Sequence, residues 1–552
     1  MSVTEPSTPR RSGRVIQVLA GARRSLFGEA LLAGAVLALV AVLVLHGITV
    51  GEFDHTSDEG AHAITGIFFR DFFRELPLNH VSQYAYQYYA QYPALGLIHW
   101  PPGFHVVEGV VFSMLGPSVP AARLTVALFA LLGAFFWYLL VRRLHGAPMA
   151  AVSTVLMAAL PGVLLCEKSV LLEVPSLSLC IAASYFWACY LQEGRRRRLY
   201  WFALTAAAAL LTKQQSIYLA AFCGLTVVSL RKWDLLRPRR IAGAFALSAL
   251  LVVPYYTLSF WLHHQTIAAD VLQGTEKAGN RLTYYWMLLP QSTGWVVLGL
   301  ALAGILTWRK WTTNDAFRLM AMWIAACYLT LCLLAQRQPR YSIYWLPPIA
   351  FFASGVFFIR TTSVRARAAL AVLALAVLGS SVWSAWRYHR PYTGGYRAFA
   401  EQLVRYRPPG VVLFDGDAGH DFIFFMRALT PERNWIILRK NLYVARIMWA
   451  YKTQELAHTE TDLRALFEDY GVRYVVVEDP IYYHTAIQKT LREFLLGPDF
   501  ELVSRMALAS DTPGEEHLGV SLYLNKSYVK PRKSTLRIPM LTLDHDIEVP
   551  LN

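Results

Sequence analysis

The chain has 552 residues, of which 55% are hydrophobic and 16% are charged. Soluble globular domains carry about 25% charged residues, so this composition excludes an ordinary soluble protein and indicates an integral membrane protein. The formal net charge of +15 does not require a nucleic-acid partner, because the basic residues gather in short loops between apolar runs.

Apolar runs long enough to cross a bilayer as helices recur along the chain and predict a polytopic α-helical membrane protein with about eleven spans. The predicted spans are residues 28–50, 121–141, 148–165, 173–191, 199–212, 215–230, 241–260, 291–308, 319–335, 341–359 and 368–386. The fifth and sixth are short and separated by a polar break, so the count is open by one or two. The first run lacks a small-residue cleavage site, which predicts a retained anchor.

Lysine and arginine residues cluster before the first span and after alternate spans, for example at 142–143 and 195–198. Because such clusters mark cytoplasmic loops, the pattern predicts that the basic segment 1–27 is cytoplasmic. It also predicts a transmembrane domain over 28–386 in the inner (plasma) membrane, and an extracytoplasmic domain over 387–552.

The first external loop, residues 51–120, contains two adjacent acids, Asp58 and Glu59. Asp58 precedes an amphipathic stretch, which is typical of a helix N-cap or first-turn acid. The alternative is a catalytic base at the membrane surface. Glu167 and Glu173 lie at the next external turn, and acids that converge there from separate turns would provide a usable base.

The same loop is rich in aromatic and imidazole side chains. The tyrosines over residues 84–92 suit either a packed loop core or stacking on the face of a sugar. Histidines such as His62 are typical of hydrogen-bonding or ligand contacts, and a divalent metal ion is the lesser alternative. We therefore predict no metal centre and no cofactor.

Three basic residues on the predicted external side oppose the positive-inside trend: Lys213, Arg337 and Arg340. One explanation is that each side chain reaches the external headgroups separately. The other is a phosphate clamp, since arginine forks onto phosphate oxygens and lysine supplies a point charge. A lipid-linked phosphate that enters from the bilayer would need positive charge at this depth.

The tail combines apolar strand-like runs with amphipathic helical stretches. The runs are 411–414, 435–438 and 474–477, and the helical stretches include 395–406 and 460–470. This alternation predicts a small α/β domain with a partly parallel sheet. Asp415 and Asp417 imitate the Asp-x-Asp of nucleotide-sugar enzymes, but their position directly after a strand favours an ordinary turn.

Five short motifs occur in one order between residues 28 and 360. They are Asp58-Glu59-Gly60-Ala61-His62, Trp100-Pro101-Pro102, Leu172-Glu173-Val174-Pro175, Leu211-Thr212-Lys213, and Arg337-Gln338-Pro339-Arg340-Tyr341 with Pro347-Pro348. The series resembles the membrane-embedded C-type glycosyltransferase (GT-C) superfamily, especially the bacterial aminoarabinose transferases and the protein O-mannosyltransferases. The resemblance implies a GT-C fold and inverting sugar transfer from a polyprenyl-phosphate donor.

The resemblance also implies roles for individual residues. Asp58 corresponds to the base that activates the acceptor, with Glu59 beside it, and Glu173 to a second acid that is commonly Asp in the family. Lys213 and Arg340 correspond to residues that face the lipid phosphate. The remaining motif residues with substrate-binding positions are His62, Trp100, Arg337 and Tyr341.

The sequence also departs from the family pattern. His99-Trp100 stands before Pro101-Pro102 where a basic residue is common, and Gln214-Gln215 follows Lys213 where Gly-Pro is common. The sugar and the acceptor, which is a lipid, a glycan or a protein, are therefore not carried over.

Two other functions remain open from the sequence. A lipid or sugar transporter, or a lipid-carrier-binding protein, also places charges at membrane depth, although transporters commonly show repeated halves with matched helix breaks. A polymer ligase would use the same class of lipid donor with basic groups and no acid base. The acid-to-amide substitution at Asp58 separates this ligase from the inverting transferase.

Overall fold

The structure is a computed structural model, and it describes residues 11–97, 99–272, 280, 282–334, 337–406, 408–445, 454–481, 485–512, 514–540 and 546–551. For residues 11–26, 263 and 265–272, only the backbone is described. The predictions for residues 1–10 lie outside these ranges.

The helices of the described ranges are numbered α1 to α20 in chain order. They are α1 Arg11–Leu45, α2 Glu59–Glu75, α3 Val81–Gln91, α4 Gly103–Leu115, α5 Val119–His145, α6 Ala147–Ala158, α7 Pro161–Glu167, α8 Glu173–Glu193, α9 Arg196–Leu210, α10 Tyr218–Leu230, α11 Pro238–Leu272, α12 Tyr284–Thr293, α13 Trp295–Leu306, α14 Asn314–Leu333, α15 Leu346–Gly355, α16 Val364–Arg387, α17 Tyr396–Arg405, α18 Gly419–Leu429, α19 Glu460–Tyr470 and α20 Ala486–Phe494.

The strands are β1 Thr393–Gly394, β2 Val411–Asp415, β3 Ile436–Arg439, β4 Val444–Ala445, β5 Gln454–Glu455, β6 Val472–Asp479, β7 Phe500–Ala507, β8 Ala509–Ser510, β9 Gly519–Asn525, β10 Thr535–Ile538 and β11 Ile547–Pro550.

Seven helices in the described part of the chain are long and apolar enough to cross a membrane. They lie within α1, α5, α8, α11, α14, α16 and the stretch Pro339–Phe358, which contains α15. Two bent pairs raise the number to nine: α6 with α7, at 66°, and α12 with α13, at 111°. Pro161 begins α7, and Gly294, with a φ of +75°, separates α12 from α13. The chain is therefore a multi-pass helical membrane protein.

The predicted count of about eleven spans is not confirmed. α9 has 15 residues and α10 has 13, so each is roughly 20 Å long, shorter than the hydrocarbon core of about 30 Å. A 3₁₀ turn over Gln214–Ile217 separates them at the predicted polar break. Both helices lie close to the predicted segments 199–212 and 215–230, but they are shorter than the seven helices that are long enough to cross a membrane.

The loop over residues 51–120, predicted to be external, forms three helices, α2, α3 and α4, around an aromatic core. Tyr84, Tyr88 and Tyr92 are buried at 6%, 1% and 0% exposure. The hydroxyl of Tyr88 donates to Asp71 Oδ2 at 2.7 Å, and Arg427 of α18 donates to the same oxygen at 2.6 Å. These tyrosines therefore form the loop core, which supports the packing interpretation over sugar stacking.

The tail contains a five-stranded mixed sheet in the order β3-β2-β6-β9-β7. β3, β2 and β6 run parallel, and β9 is antiparallel to both β6 and β7, which confirms the predicted partly parallel sheet. All five residues of β2 are buried, as expected for a central parallel strand covered on both faces.

Asp415 and Asp417 at the end of β2 have structural partners. Gln488 donates to Asp415 Oδ1 at 2.7 Å, and Arg492 forms an ion pair with the other oxygen of Asp415. Lys440 lies 3.0 Å from Asp417 Oδ1. These contacts agree with the turn interpretation.

Candidate active site

Asp58 occupies the N-cap position of α2, but its side chain makes no capping hydrogen bond. Instead, Nη2 of Arg340 donates to Asp58 Oδ2 at 2.8 Å. The Asp58 side chain remains 40% exposed and that of Arg340 19%, and we call the accessible side of this pair the cleft. The helix-cap interpretation is therefore correct for the backbone only, and the carboxylate is directed to the membrane domain.

Glu173 lies beneath this pair at the start of α8 and is fully buried. Its Oε1 atom is 2.9 Å from Nε of Arg340 and 2.8 Å from Nζ of Lys213. The Lys213 side chain is 5% exposed. We refer to Asp58, Glu173, Lys213 and Arg340 as the central charge cluster.

Lys213 and Arg340 both lie where one helix ends and the next begins. Lys213 follows the end of α9, where its N–H donates to the carbonyl of Ala209. Arg340 lies at the start of the 3₁₀ helix Pro339–Trp345. This helix begins at Pro339, because proline suits the first turn of a helix. Tyr341, next to it, places its ring centroid 5.4 Å from Lys213 Nζ. Irregular backbone thus brings together charges that lie far apart in the sequence.

The charge cluster keeps Asp58 ionised. Partial withdrawal from water raises the pKa of Asp58, but the charge and hydrogen bond of Arg340 outweigh this effect and hold the pKa below its ordinary value. His420 of α18 and Lys213 act in the same direction. The cleft therefore presents a carboxylate beside two cations.

Glu59 points away from this cluster, although it is the immediate neighbour of Asp58. It is fully buried and forms an ion pair with Arg390, beyond the end of α16. Its Oε2 atom accepts the N–H of Val170 at 3.0 Å. The two adjacent acids therefore have different partners. The Glu59 carboxylate is occupied by Arg390 and the Val170 N–H, whereas the Asp58 carboxylate belongs to the central charge cluster.

His62 and Trp100 pack together at the wall of the loop. Their ring centroids are 4.3 Å apart, and His62 Nδ1 lies 3.1 Å from Nε2 of His105. Burial lowers the pKa of His62 well below its ordinary value, so the imidazole is neutral. Within the residues that the structure describes, no group of three or more His, Cys, Asp or Glu side chains is placed to hold a metal ion.

Arg337 lies over the ring of Tyr284 in α12, with its Cζ atom 6.0 Å from the ring centroid. Of the nine predicted site residues, the structure therefore brings Asp58, Glu173, Lys213, Arg340 and Tyr341 into one constellation, with His62 and Trp100 paired to each other.

Arg390 was missed by sequence reasoning. Like the three cations that were found, it follows a span on the predicted external side, and this departure from the positive-inside trend would have identified it.

An apolar groove begins beside Lys213 and has a volume of about 590 Å³. Its apolar lining includes Leu210, Ile217, Val252, Val253, Tyr256 and Phe260, from α9, the following 3₁₀ turn and α11. Gln214, the residue after Lys213, also lines it. The groove therefore joins an apolar channel on the membrane domain to the edge of the charge cluster.

Comparison with known proteins gives one family match and several similar structures. Residues 99–257 match the family described as dolichyl-phosphate-mannose-protein mannosyltransferase. This segment contains Trp100, Glu173 and Lys213. A search of curated protein sequences gave no match.

The structure of ArnT from Cupriavidus metallidurans bound to undecaprenyl phosphate is 16% identical, with a TM-score of 0.59, and the match covers 90% of this chain and 98% of ArnT. The apo structure of the same ArnT is 14% identical, with a TM-score of 0.60, and covers 92% of this chain and 100% of ArnT.

The arabinofuranosyltransferase AftD from Mycobacteria is 15% identical, with a TM-score of 0.50, over 92% of this chain and 40% of AftD. At these identities the likeness to solved structures establishes the fold. Together with the apolar helices, it shows that the chain is a multi-pass membrane protein with the fold of ArnT, and residues 99–257 are similar to the protein mannosyltransferase family.

Proposed function

We propose that this protein transfers a sugar from a polyprenyl-phosphate-linked donor to a hydroxyl group of a lipid, glycan or protein acceptor, with inversion at the anomeric carbon. The proposal places the reaction at the extracytoplasmic face of the inner membrane. The observation that carries it is the central charge cluster, in which the accessible Asp58 carboxylate lies 2.8 Å from Arg340 beside the buried Lys213.

The groove next to Lys213 supports a lipid-linked donor. A polyprenyl chain is apolar and fits a lining of aliphatic and aromatic side chains, while its phosphate would meet Lys213 and Arg340 at the end of the groove. ArnT, whose fold this chain shares, has been solved with undecaprenyl phosphate bound. The donor therefore enters along the membrane and presents its anomeric carbon to the cleft.

The chemistry follows from the two kinds of charge. Asp58 accepts the proton of the acceptor hydroxyl while the hydroxyl oxygen forms a bond to the anomeric carbon. The bond between that carbon and the phosphate oxygen breaks, and its electron pair leaves with the phosphate. Lys213 and Arg340 stabilise the negative charge that develops there, so the proposal includes no metal ion.

Arg340 links the two halves of the reaction. In the structure it contacts Asp58 and Glu173 at the same time. When a donor phosphate also binds the Arg340 guanidinium, the interaction between Arg340 and Asp58 weakens. The pKa of Asp58 then rises, and its carboxylate becomes a better base. Donor binding thus prepares Asp58 for the acceptor.

The other predicted residues take supporting roles in this proposal. Glu173 is buried beneath both cations, so we assign it to setting their positions. Tyr341 supports Lys213 from one side. Trp100 is partly exposed above the buried His62 and offers an apolar ring face to a sugar. A substrate-binding role for Arg337, toward the donor, remains a prediction.

The decisive experiment compares the wild-type protein with Asp58→Asn. Loss of the base should lower the transfer rate by about 10²–10⁴-fold, because amides do not accept the proton. The melting temperature in detergent and the affinity for polyprenyl phosphate should stay close to wild type. The matched control is Asp234→Asn in the 3₁₀ helix Trp233–Leu236, whose side chain is 82% exposed, and which should keep the wild-type rate.

Mass spectrometry of membrane lipids and glycans from cells with and without the chain identifies the product, and NMR of the product gives its anomeric configuration. Wild-type turnover by Asp58→Asn would contradict the base assignment. Movement of the donor across vesicles with no glycosylated product would favour the transporter alternative.

A further inference from the structure

The segment Glu52–Gly60, which carries Asp58 and which we call the acid loop, is held by the C-terminal domain. The Glu52 carboxylate accepts the N–H groups of Gly395 and Tyr396, at 3.1 and 3.0 Å, at the start of α17. The carbonyl of Phe53 accepts the N–H of Thr393 at 2.9 Å. These hydrogen bonds tie the acid loop to the first turn of α17, although burial outweighs them and raises the pKa of Glu52 to about 7.

Apolar and close backbone contacts continue this attachment. Phe53 is fully buried, with its ring centroid 5.0 Å from that of Phe424 in α18. At the other end of the loop, a Cβ atom on Gly60 would overlap Asp421 of α18. The first turn of α2 is therefore seated directly against α18 and tolerates little displacement.

His55, in the middle of the loop, lies between two buried carboxylates. Its Nε2 atom pairs with Glu478 of β6, and its Nδ1 atom lies 3.1 Å from Glu515 Oε1. The side chains of all three residues are at most 1% exposed. Burial opposes the charge on His55, but Glu478, Glu515 and Asp421 outweigh it and raise its pKa to about 9.

The loop thus has contacts of two kinds. Glu52, Phe53, His55 and Glu59 all bind residues beyond the last transmembrane helix, including Arg390. Asp58 reaches the opposite way, to Arg340 in the membrane domain. On the membrane side, Arg123 of α5 donates to the carbonyl of Glu52, and the N–H of Val170 donates to Glu59. The tail therefore restrains the loop from one side, through Glu52, Phe53 and His55, and so contributes to the position of the Asp58 carboxylate.

We infer that the C-terminal domain is the positioning element for Asp58, and that His55, clamped between Glu478 and Glu515, is its central positioning residue. This inference rests on the proposed function, since it assumes that Asp58 acts on the acceptor. A catalytic group must be held within about 0.5 Å of its working position, and a misplacement of about 1 Å costs about 10²-fold in rate. The buried ionic clamp supplies that restraint to a loop with little regular structure.

The test is His55→Gln in the full-length protein, with His458→Gln as the matched control. His458 is in the same domain and has a carboxylate neighbour, Glu455, at 3.9 Å, but its side chain is 69% exposed. We expect kcat of His55→Gln to fall by about 10–100-fold while KM for the lipid donor changes less than about threefold, because the donor site is untouched. His458→Gln should match wild type in both.

Two further measurements separate positioning from folding. The double variant His55→Gln/Glu515→Gln removes one of the carboxylates that His55→Gln would leave unpaired, and it should restore the melting temperature without restoring kcat. The second measurement is the fraction of protein that binds polyprenyl phosphate. Dividing each rate by this fraction prevents a loss of folded protein from being read as a lower kcat.

The pH profile gives the most specific readout. Asp58 faces Arg340, Lys213, Glu173 and His420, and its lowered pKa in the free protein means that wild-type kcat/KM is lost only at pH values below the ordinary range of a carboxylate. If the loop moves away from Arg340, the pKa of Asp58 is no longer lowered, so the acidic limb of the kcat/KM profile should move to higher pH in His55→Gln.

An unchanged kcat and an unchanged acidic limb in His55→Gln, with wild-type transfer intact, would overturn this inference alone. Absence of transfer by the wild-type protein would instead overturn the proposed function. Recovery of both kcat and stability in the double variant would show that His55 only stabilises the fold, and would also overturn it.

Discussion

Arg340 is the residue on which the site depends most directly. Its Nη2 and Nε atoms contact two carboxylates at the same time, Asp58 at 2.8 Å and Glu173 at 2.9 Å. A planar guanidinium can bridge two acceptors in this way, whereas a lysine ammonium is a single point on a flexible stem. The shape of this residue therefore matters as well as its charge.

This geometry makes Arg340→Lys a sharp test. The substitution keeps the positive charge but cannot hold both acids and a donor phosphate, so kcat should fall by about 10²–10³-fold. The rate of sugar transfer at saturating donor measures this. The control is Arg237→Lys, whose side chain is 68% exposed beside Asp234, and a wild-type rate in Arg340→Lys would show that charge alone suffices.

The sequence predicted the convergence of Asp58, Glu173, Lys213 and Arg340, but it did not predict that Asp58 and Glu59 would separate. Successive residues at the start of a helix point about 100° apart, so only one of two adjacent acids can face a given cleft. Which of them faces it depends on the seat of α2 against α18 and on the ion pair with Arg390.

Among the elements, α2, α3 and α18 are joined by one buried polar contact. Asp71 of α2 accepts from Tyr88 of α3 at 2.7 Å and from Arg427 of α18 at 2.6 Å. Both charged side chains are at most 4% exposed. This contact ties the external loop to the tail on the side away from the start of α2.

Asp71→Asn should therefore destabilise the protein by about 3–5 kcal/mol, because Arg427 is left as an uncompensated buried charge. Thermal and denaturant unfolding in detergent measure the change. The double variant Asp71→Asn/Arg427→Gln should recover most of the loss. Glu75→Gln, which breaks the more exposed pair with Arg433, should cost no more than about 1 kcal/mol, and an equal effect of both single substitutions would contradict the argument.

Across the whole molecule, a membrane-facing groove and a water-facing cleft meet at Lys213. α11 contributes much of the groove, and only 6% of its most apolar window is buried in the protein, so the groove is open to lipid. In the proposed reaction, an apolar carrier approaches along the groove and a polar acceptor from the cleft, where Asp58 and Arg340 lie.

Filling the groove should therefore affect the donor according to its chain length. Val253→Trp should raise KM by about tenfold for a donor with a long polyprenyl chain, which corresponds to about 1.4 kcal/mol. It should leave kcat and the KM for a donor with one or two isoprene units unchanged. Leu250→Trp, on the same helix but outside the groove lining, is the control, and equal effects on both donors would show that the groove does not hold the chain.

The amino-acid sequence by itself determined the membrane class, the mixed α/β tail and the identity of the residues in the charge cluster. These depend on composition, on local periodicity and on charges in positions where a membrane protein rarely tolerates them. The same signals located the short helices α9 and α10, but they did not decide the number of spans, because hydropathy measures whether a segment is apolar and not whether its helix crosses the membrane.

Only the tertiary structure decided how the cluster is held. The contacts of His55 with Glu478 and Glu515 join residues more than 400 positions apart, and no local sequence pattern predicts such a pairing. Glu52 and His55 look like ordinary polar residues in the sequence. They acquire their roles because folding buries them beside residues that are distant in the sequence. A buried charge is costly unless it is paired, so its partner is decided by the tertiary structure.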